Sequence, residues 1–357
     1  MKILLLSKYP RKGASSRLRS LQYLPALSDE GIEVTVSSLF DEQYLNALYE
    51  ERKRSIIRML FLYLKRLFLL LAVFRYDLVW IEKEIFPYFP AVFERLLAAF
   101  GVKYVVDYDD AIFHNYDMAV SPLIRRVLGR KIDTVMAHAA CVIAGNEYLA
   151  SRARQARATK VEIVPTVVDH TRYTQSSPAG DRQLVIGWIG SPSTQRYVVD
   201  IKEAIQSVCD ELDARLMLVG ATSDVASQLA GIPVEVVPWA EDSEAESIAK
   251  MDVGIMPLVD GPWEKGKCGY KLIQYMACGV PIVASPVGVN VGIVTESGAG
   301  RLARSSIEWR DAISAFLKDD PHRSVAGQMG RAAVYETYSL RAQLPRLAQV
   351  LRDAGNV

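Results

Sequence analysis

Short apolar runs alternate with longer segments of helical periodicity along nearly the whole chain. The runs are KILLLS, IEVTVSS, DLVWIE, KYVVDYD and CVIAGN in the first half, and LVIGWIG, RLMLVG, VEVVPW, DVGIMPL and PIVASP in the second. Uninterrupted apolar runs are typical of strands that are buried on both faces, and strands that alternate with helices form parallel sheets. The pattern therefore predicts an α/β protein with two doubly wound parallel sheets.

A polar stretch with Ser, Pro and Gly but no apolar periodicity separates the two series of runs. Because a single core rarely grows beyond about 250–300 residues, a chain of 357 residues is expected to form two domains. We predict an N-terminal domain at 1–169, a linker at 170–182, a second domain at 183–335 and a terminal helix at 336–357 that packs across both. Ligands bind beyond the carboxyl ends of parallel strands, so the crevice between the sheets is the expected site.

Charge and cysteine content narrow the class of protein. The 42 Lys and Arg residues nearly balance the 41 Asp and Glu residues, so the net charge of +1 gives no bulk electrostatic reason to bind nucleic acid. The four cysteines form no CxxC pair, which favours a reducing, cytoplasmic compartment. The apolar run at the N-terminus ends at Lys8 without a small-residue cleavage site, and so it predicts a buried strand rather than a signal peptide.

The segment 52–75 is both basic and strongly apolar. Its cations are Arg52, Lys53, Arg54, Arg58, Lys65, Arg66 and Arg75. The longest uncharged part, Leu67–Phe74, is too short to cross a bilayer, which needs about 20 residues. Two interpretations stay open: a helix that lies on an anionic membrane surface, and a core helix of the first domain whose basic face is solvated.

The loop after the first strand contains Gly13, Ser15 and Ser16 and leads into a helix that carries Arg17 and Arg19. Backbone N–H groups at a helix start, together with arginines, predict an anion site. The alternative is a loop in which a serine caps the helix and the arginines are solvated.

Three carboxylates, Asp107, Asp109 and Asp110, follow the fourth apolar run. They repel one another unless they meet a cation, a proton or a hydroxyl donor, so one of them is expected to have a raised pKa. Asp residues at strand ends also form turns and helix caps, which is the structural alternative. The run Asp107-Tyr108-Asp109 is in addition a DxD sequence, which in some sugar transferases holds a divalent cation.

In the second half, a strand leads into a loop rich in Gly and Lys that opens a helix at about Gly269 to Cys278. Backbone amides and Lys267 or Lys271 at this helix start predict a diphosphate site. The loop lacks the Ser or Thr of a P-loop, because Cys268 stands at that position, so a nucleotide hydrolase is not favoured.

The junction after the first strand of the second half is Gly187-Trp-Ile-Gly190-Ser-Pro-Ser-Thr-Gln-Arg196. Its glycine spacing is not that of a dinucleotide-binding fingerprint, and this argues against a dehydrogenase.

The run Gln274-Tyr-Met-Ala-Cys-Gly-Val-Pro-Ile-Val-Ala-Ser285 closely resembles the E-A-M-A-C-G-x-P-V-I-A-S motif of glycosyltransferase family 4. The resemblance implies the GT-B architecture, with two Rossmann-like domains that face each other across a cleft. It further implies retaining, metal-independent transfer of a sugar from a nucleotide-diphosphate sugar to a hydroxyl of a glycan or lipid-linked acceptor, with no cofactor. Cell-surface polysaccharide, O-antigen or capsule biosynthesis is the expected setting.

The family's Glu-x(7)-Glu pair falls on Gly266 and Gln274, so both carboxylates are absent. Gln274 can still hydrogen-bond a ribose hydroxyl, and Glu264 is a displaced substitute for the first glutamate. The family's diphosphate-binding Arg and Lys fall on Ser191 and Arg196, and we expect Lys271 to replace the lost cation.

The family's His-Asp pair falls on Asp109-Asp110, and the resemblance therefore implies Asp109 as the catalytic group beside the sugar and acceptor, with Asp107 or Asp110 as the alternatives. Arg196 and Lys271 are expected around the leaving diphosphate. The remaining expected donor contacts are Gly13, Ser15, Ser16, Gly190, Ser191, Trp239, Lys267, Gly269, Tyr270 and Gln274. The expected acceptor contacts are Arg17, Asp107, Asp110 and His114.

Two alternative functions stay open at this stage. One is a metal-dependent sugar transferase that uses the DxD sequence at 107–109. The other is a non-catalytic scaffold that binds a nucleotide or a membrane, and it is suggested by the missing glutamate pair.

Overall fold

The computed structural model describes residues 1–49, 52, 55–175 and 182–356. Within the predicted linker, residues 176–181 lie outside the described residues, as do Lys53 and Arg54 of the basic stretch. The chain divides into two compact units: unit 1 comprises Met1–Thr166, Gly266–Cys268 and Gln343–Val357, and unit 2 comprises Val167–Lys265 and Gly269–Ala342.

Unit 1 is built on a parallel sheet. Its strands are β1 Lys2–Ser7, β2 Glu33–Ser38, β3 Leu78–Glu82, β4 Tyr104–Tyr108, β5 Cys141–Ala144 and β6 Val161–Ile163. They lie in the order β2-β1-β3-β4-β5-β6, so the direction of winding reverses between β1 and β3. In doubly wound sheets ligands bind at such a reversal, beyond the carboxyl ends of the strands.

The central strands of this sheet are buried along almost their whole length, as expected for parallel strands that helices cover. The helices of unit 1 are α1 Ala14–Arg19, α2 Leu24–Asp29, α3 Glu42–Tyr49, α4 Ile56–Leu69, α5 Val92–Ala99, α6 His114–Asp117, α7 Pro122–Leu128, α8 Lys131–His138 and α9 Glu147–Gln155, with 3-10 turns at Leu21–Tyr23 and Leu70–Arg75.

Unit 2 contains a second parallel sheet. Its strands are β7 Val185–Ile189, β8 Arg215–Val219, β9 Val234–Val237, β10 Val253–Met256, β11 Ile282–Ala284 and β12 Gly300–Leu302. The order β12-β11-β10-β7-β8-β9 is the Rossmann order, with its reversal between β7 and β10. The predicted α/β fold with two doubly wound parallel sheets is therefore confirmed.

The helices of unit 2 follow the same alternation. They are α10 Arg196–Val199, α11 Lys202–Leu212, α12 Val225–Gln228, α13 Glu244–Ala249, α14 Pro262–Lys265, α15 Tyr270–Ala277, α16 Asn290–Ser297, α17 Ser306–Lys318 and α18 Asp320–Glu336, with 3-10 turns at His170–Arg172 and Pro192–Thr194. The last helix, α19 Leu340–Asn356, begins in unit 2, and its residues from Gln343 onward belong to unit 1.

Helix α4 packs by one side only. Leu62 and Arg66 are buried, and Arg66 donates hydrogen bonds to the carbonyls of Ser7 and Ser37, 2.9 Å each. The opposite side is exposed and mainly apolar, whereas the interpretation as a core helix expected a basic solvated face. Among the described residues, no helix is long and apolar enough to cross a membrane.

Candidate functional site

Lys83 occupies the reversal point of the first sheet. It follows β3 directly and has a left-handed main chain, with φ of 67°, which is uncommon for a lysine. Its ammonium donates to Ser15 Oγ at 3.0 Å and lies 2.8 Å from Asp109 Oδ1 and 3.8 Å from Asp110 Oδ2. Lys83 thus joins the start of α1 to the carboxylates that follow β4.

The three aspartate carboxyls differ in the direction in which their pKa is shifted. Burial raises the pKa of Asp107 to about 6, although the Arg19 guanidinium lowers it. Burial and the charge of Asp109 likewise raise the pKa of Asp110. For Asp109, burial is outweighed by Lys83, which holds the pKa of this carboxyl below its usual range. The crowding thus raises the pKa of two carboxyls where one was expected, and Lys83 favours the ionised form of Asp109.

Asp107 is turned into unit 1 rather than toward solvent. Its Oδ1 atom lies 2.8 Å from Arg19, which also donates to the carbonyl of Val164 at 2.8 Å. Within the described chain, no group of three or more His, Cys, Asp or Glu side chains is arranged to hold a metal ion. The DxD aspartates instead face two protein cations, Arg19 and Lys83.

The other predicted residues of the first loop have structural partners. Ser16 Oγ donates to Glu82 Oε2 at 2.5 Å and accepts from the Tyr9 amide at 3.1 Å. Gly13 is the residue before α1, where an added Cβ would lie 2.4 Å from Cβ of Tyr9. Arg17 is buried and donates to the carbonyl of Arg11 at 3.3 Å, so it does not extend into solvent.

His114 belongs to a separate polar group on the same unit. Its Nδ1 atom lies 2.8 Å from Asp117 Oδ1, and its Nε2 atom lies 2.9 Å from the hydroxyl of Tyr148. In the part of the chain that the structure describes, no hydrogen bond or ion pair joins the side chains of His114 and Asp109.

The tripeptide Gly266–Cys268 belongs to unit 1, although its flanking residues belong to unit 2. Asn146 donates to the carbonyls of Gly266 and Lys267 at 3.0 Å each, and its Oδ1 atom caps α9 through the amide of Leu149. The main chain of Gly266 packs so closely on Ala111 that an added Cβ would lie 2.5 Å from the Ala111 Cβ. The charge of Lys267 lowers the pKa of Asp110, which burial raises more strongly.

Lys271 and the Gly190 loop meet at the reversal point of the second sheet. The Lys271 ammonium donates to Thr194 Oγ1 at 3.3 Å and lies 4.8 Å from the ring centre of Trp188. An added Cβ on Gly190 would lie 2.3 Å from the Trp188 ring and 2.9 Å from Cε of Lys271. Gly190 therefore makes room for the lysine, and Ser191, the next residue, is exposed.

Arg196 is linked to Glu264 through a tyrosine. The exposed guanidinium donates to the Tyr197 hydroxyl at 3.1 Å, and this hydroxyl in turn donates to Glu264 Oε1. Glu264 is buried in α14, two residues before the position of the missing glutamate. A cation and a carboxylate of the predicted donor site are thus joined by one side chain.

Gln274 belongs to a network around a buried glutamate. It donates to the Tyr173 hydroxyl at 3.3 Å, and that hydroxyl donates to Glu244 Oε1 at 2.9 Å. Trp239 donates through its indole N–H to Glu244 Oε2 at 2.9 Å, and the Tyr270 hydroxyl lies 3.4 Å from that of Tyr173. Gly269 has φ of 66° and precedes α15, the helix that carries Tyr270, Lys271 and Gln274.

Sequence reasoning missed Lys83, Asn146, Tyr197 and Glu244. Lys83 had one usable signal, because it comes directly after a predicted strand, where parallel sheets place their ligand-binding residues. Tyr197 is adjacent to the predicted Arg196, but its carboxylate partner lies 67 residues away. The partners of Asn146 are equally remote in sequence, about 120 residues along the chain.

Residues 183–319 match the family model described as Glycosyl transferases group 1. A curated relative, N-acetyl-alpha-D-glucosaminyl L-malate synthase of Bacillus anthracis, is 25% identical over 178 residues. That alignment covers 48% of this chain and 45% of the relative, so the chain spans about half the length of this relative.

Solved structures match over nearly the whole chain. HepE of Anabaena in complex with UDP-glucose has a TM-score of 0.73 at 17% identity, covering 99% of this chain and 100% of HepE. Sucrose-phosphate synthase of Thermosynechococcus elongatus gives 0.71 at 16% identity, with coverages of 99% and 98%. WaaG, a glycosyltransferase involved in lipopolysaccharide biosynthesis, gives 0.69 at 14% identity, with coverages of 98% and 99%.

Proposed function

We propose that this protein, whose residues 183–319 match glycosyl transferases group 1 and whose fold is that of GT-B glycosyltransferases, transfers a sugar from a nucleotide-diphosphate donor to a hydroxyl group. The observation that carries the proposal is the position of Lys271 against the Gly190 loop, at the reversal point of the Rossmann-ordered sheet. This is where a doubly wound sheet binds a nucleotide.

The diphosphate is proposed to lie between the cations of Arg196 and Lys271 and the start of α15. Departure of a nucleoside diphosphate leaves negative charge, which these groups stabilise in the transition state. UDP-glucose is the first donor to test, since HepE, with a similar fold, was solved in complex with it. Gln274 is proposed to bind the ribose, and Glu264 the transferred sugar.

The reaction is proposed to need no metal ion and to retain the anomeric configuration. The support for metal independence is that Asp107 and Asp109 already face Arg19 and Lys83 at 2.8 Å, so a divalent cation would have to displace a protein cation. The metal-dependent alternative requires such displacement. Retention rests on the family 4 motif at 274–285 alone.

The acceptor is proposed to bind to unit 1, with Asp109 as the carboxylate that accepts the hydrogen bond of the reacting hydroxyl. Lys83 keeps Asp109 ionised, and an ionised carboxylate is an acceptor only. A lipid-linked glycan in cell-surface polysaccharide assembly, at the inner face of the cytoplasmic membrane, is the proposed setting.

The test is a transfer assay with a panel of nucleotide sugars and hydroxyl acceptors, in the presence and absence of EDTA. We expect turnover of one donor with EDTA present and an anomeric proton in the product that shows retention. Lys271→Ala should lower kcat/KM by roughly a hundredfold or more, whereas Lys250→Ala, at an exposed lysine directly after α13, should not. Tight nucleotide binding without turnover of any donor would favour the non-catalytic scaffold instead.

A further inference from the structure

The outward side of α4 is an unusually large apolar surface. Its exposed side chains are Ile56, Ile57, Leu60, Phe61, Leu64, Leu67 and Phe68, and Leu71 and Phe74 extend them into the following 3-10 turn. The exposed fraction ranges from 38% for Leu67 to 82% for Ile57. Contiguous exposed apolar side chains on this scale mark an interaction surface rather than ordinary solvent-facing positions.

These positions form one continuous face. At about 100° per residue, the exposed apolar residues from Ile56 to Phe68 fall within about 140° of the helix circumference. The buried Leu62 and Arg66 lie on the opposite side, where the helix meets unit 1. The helix is therefore apolar on two sides, of which unit 1 covers only one.

A second element continues this face. The rings of Phe74 and Phe100 are in edge contact, with centroids 6.5 Å apart. Phe100 directly follows α5, and Val92, Leu96 and Phe100 stand at intervals of four residues and are all exposed. We call the exposed apolar side chains of residues 56–74, together with these three of 92–100, the apolar face.

Cations border the apolar face, and acidic residues are absent from its main segment. If Ile56 is placed at 0°, the apolar arc runs to about 140°, and Lys65 and Arg58 follow it at about 180° and 200°. Arg58 is paired with Asp41 at 2.9 Å, and Lys65 and Arg75 add positive charge. From Ser55 to Tyr76 the sequence contains no Asp or Glu.

We propose that the apolar face docks onto an anionic lipid bilayer, with the helix lying in the interface. At 1.5 Å per residue, the 14 residues of α4 span only about 21 Å, which suits a helix on the membrane and not one across it. A second copy of the chain is disfavoured, because an isologous contact would bring the same basic edge to both sides. This proposal goes beyond the reaction and does not depend on it.

The test is sedimentation with vesicles of phosphatidylcholine alone and of phosphatidylcholine mixed with phosphatidylglycerol, with no donor or acceptor present. We expect binding to the mixed vesicles that weakens at high salt. Ile57→Glu and Phe68→Glu should each weaken it by roughly tenfold or more, and Lys65→Glu by less. Ile307→Glu, at an exposed isoleucine of unit 2, is the matched control and should bind like wild type.

Ile57 and Phe68 of the apolar face and Lys65 at its edge are all exposed, so the melting temperatures of the variants should match that of wild type, and failure to fold does not explain lost binding. The proposal is overturned if wild type ignores both vesicles, or if the Ile57 and Phe68 variants bind like the control. A dimer in solution that these two variants dissociate, without vesicle binding by wild type, would assign the face to a second copy instead.

Discussion

Lys83→Met tests whether Lys83 holds Asp109 in place. The side chains of Lys83 and Asp109 are only 6% and 14% exposed, so the substitution leaves a nearly buried carboxylate without its cation. Removal of one partner from a buried pair costs about 3–5 kcal/mol. Because Ser15 still neighbours the site and Asp109 keeps some exposure, we expect the lower end, about 3 kcal/mol.

The assay is urea unfolding of wild type, Lys83→Met, Asp109→Asn and the double variant. We expect the double variant to be more stable than the sum of the single losses predicts, with a coupling of about 2 kcal/mol. The pKa of Asp109 is lowered in the folded state, so the stability it confers is present above its ordinary value of 3.8 and is lost as the pH falls through the folded-state value.

It follows that the difference between wild type and Lys83→Met is full at neutral pH and shrinks at acidic pH. A loss for Lys83→Met of less than about 1 kcal/mol, or strictly additive losses in the double variant, would refute the reasoning, because neither is compatible with a tight buried pair.

Three further predictions concern the donor loop and its supports. Gly190→Ala places a Cβ 2.3 Å from the Trp188 ring and 2.9 Å from Cε of Lys271, so it should displace both side chains and weaken UDP binding by roughly tenfold, as measured by calorimetric titration; unchanged affinity would count against a diphosphate site at this loop. Asn146→Ala removes a helix cap and two hydrogen bonds that the side-chain amide donates, and should cost about 2–3 kcal/mol in urea unfolding; Asn146→Asp keeps the cap but sets a carboxylate oxygen against the carbonyls of Gly266 and Lys267, so it should cost at least as much. Tyr197→Phe leaves Glu264 without its hydroxyl donor and should lower kcat/KM by roughly tenfold while UDP affinity stays the same; equal losses in both would make Tyr197 a binding residue only.

The central strands were predictable because burial on both faces leaves an uninterrupted apolar run in the sequence. Strand β1 was predicted to the residue, and β3, β4, β7 and β8 to within one residue at either end. Strands β6 and β12 were missed, since three-residue edge strands that are only partly buried produce no such run.

The site residues show where local reasoning ends. The loop after β7 was found from its glycine and serines, and the loop after β10 from its glycines and lysines. The partner of Asp109 was not found, because its ion pair with Lys83 depends on the pairing of β3 with β4 and on a left-handed main chain. Helix α4 shows the same limit. Its own apolar residues are spread around most of its circumference, so periodicity alone does not tell which side packs on unit 1.

The most direct test of the donor site is the thermal shift that UDP, GDP, CMP, ADP and dTDP cause in wild type, Lys271→Ala and Lys250→Ala, each with and without EDTA. The account predicts that one nucleoside diphosphate raises the melting temperature of wild type and of Lys250→Ala equally with EDTA present, and that Lys271→Ala loses most of this shift. No shift with any nucleotide, or a shift that appears only with added metal, would contradict a metal-free diphosphate site at Lys271.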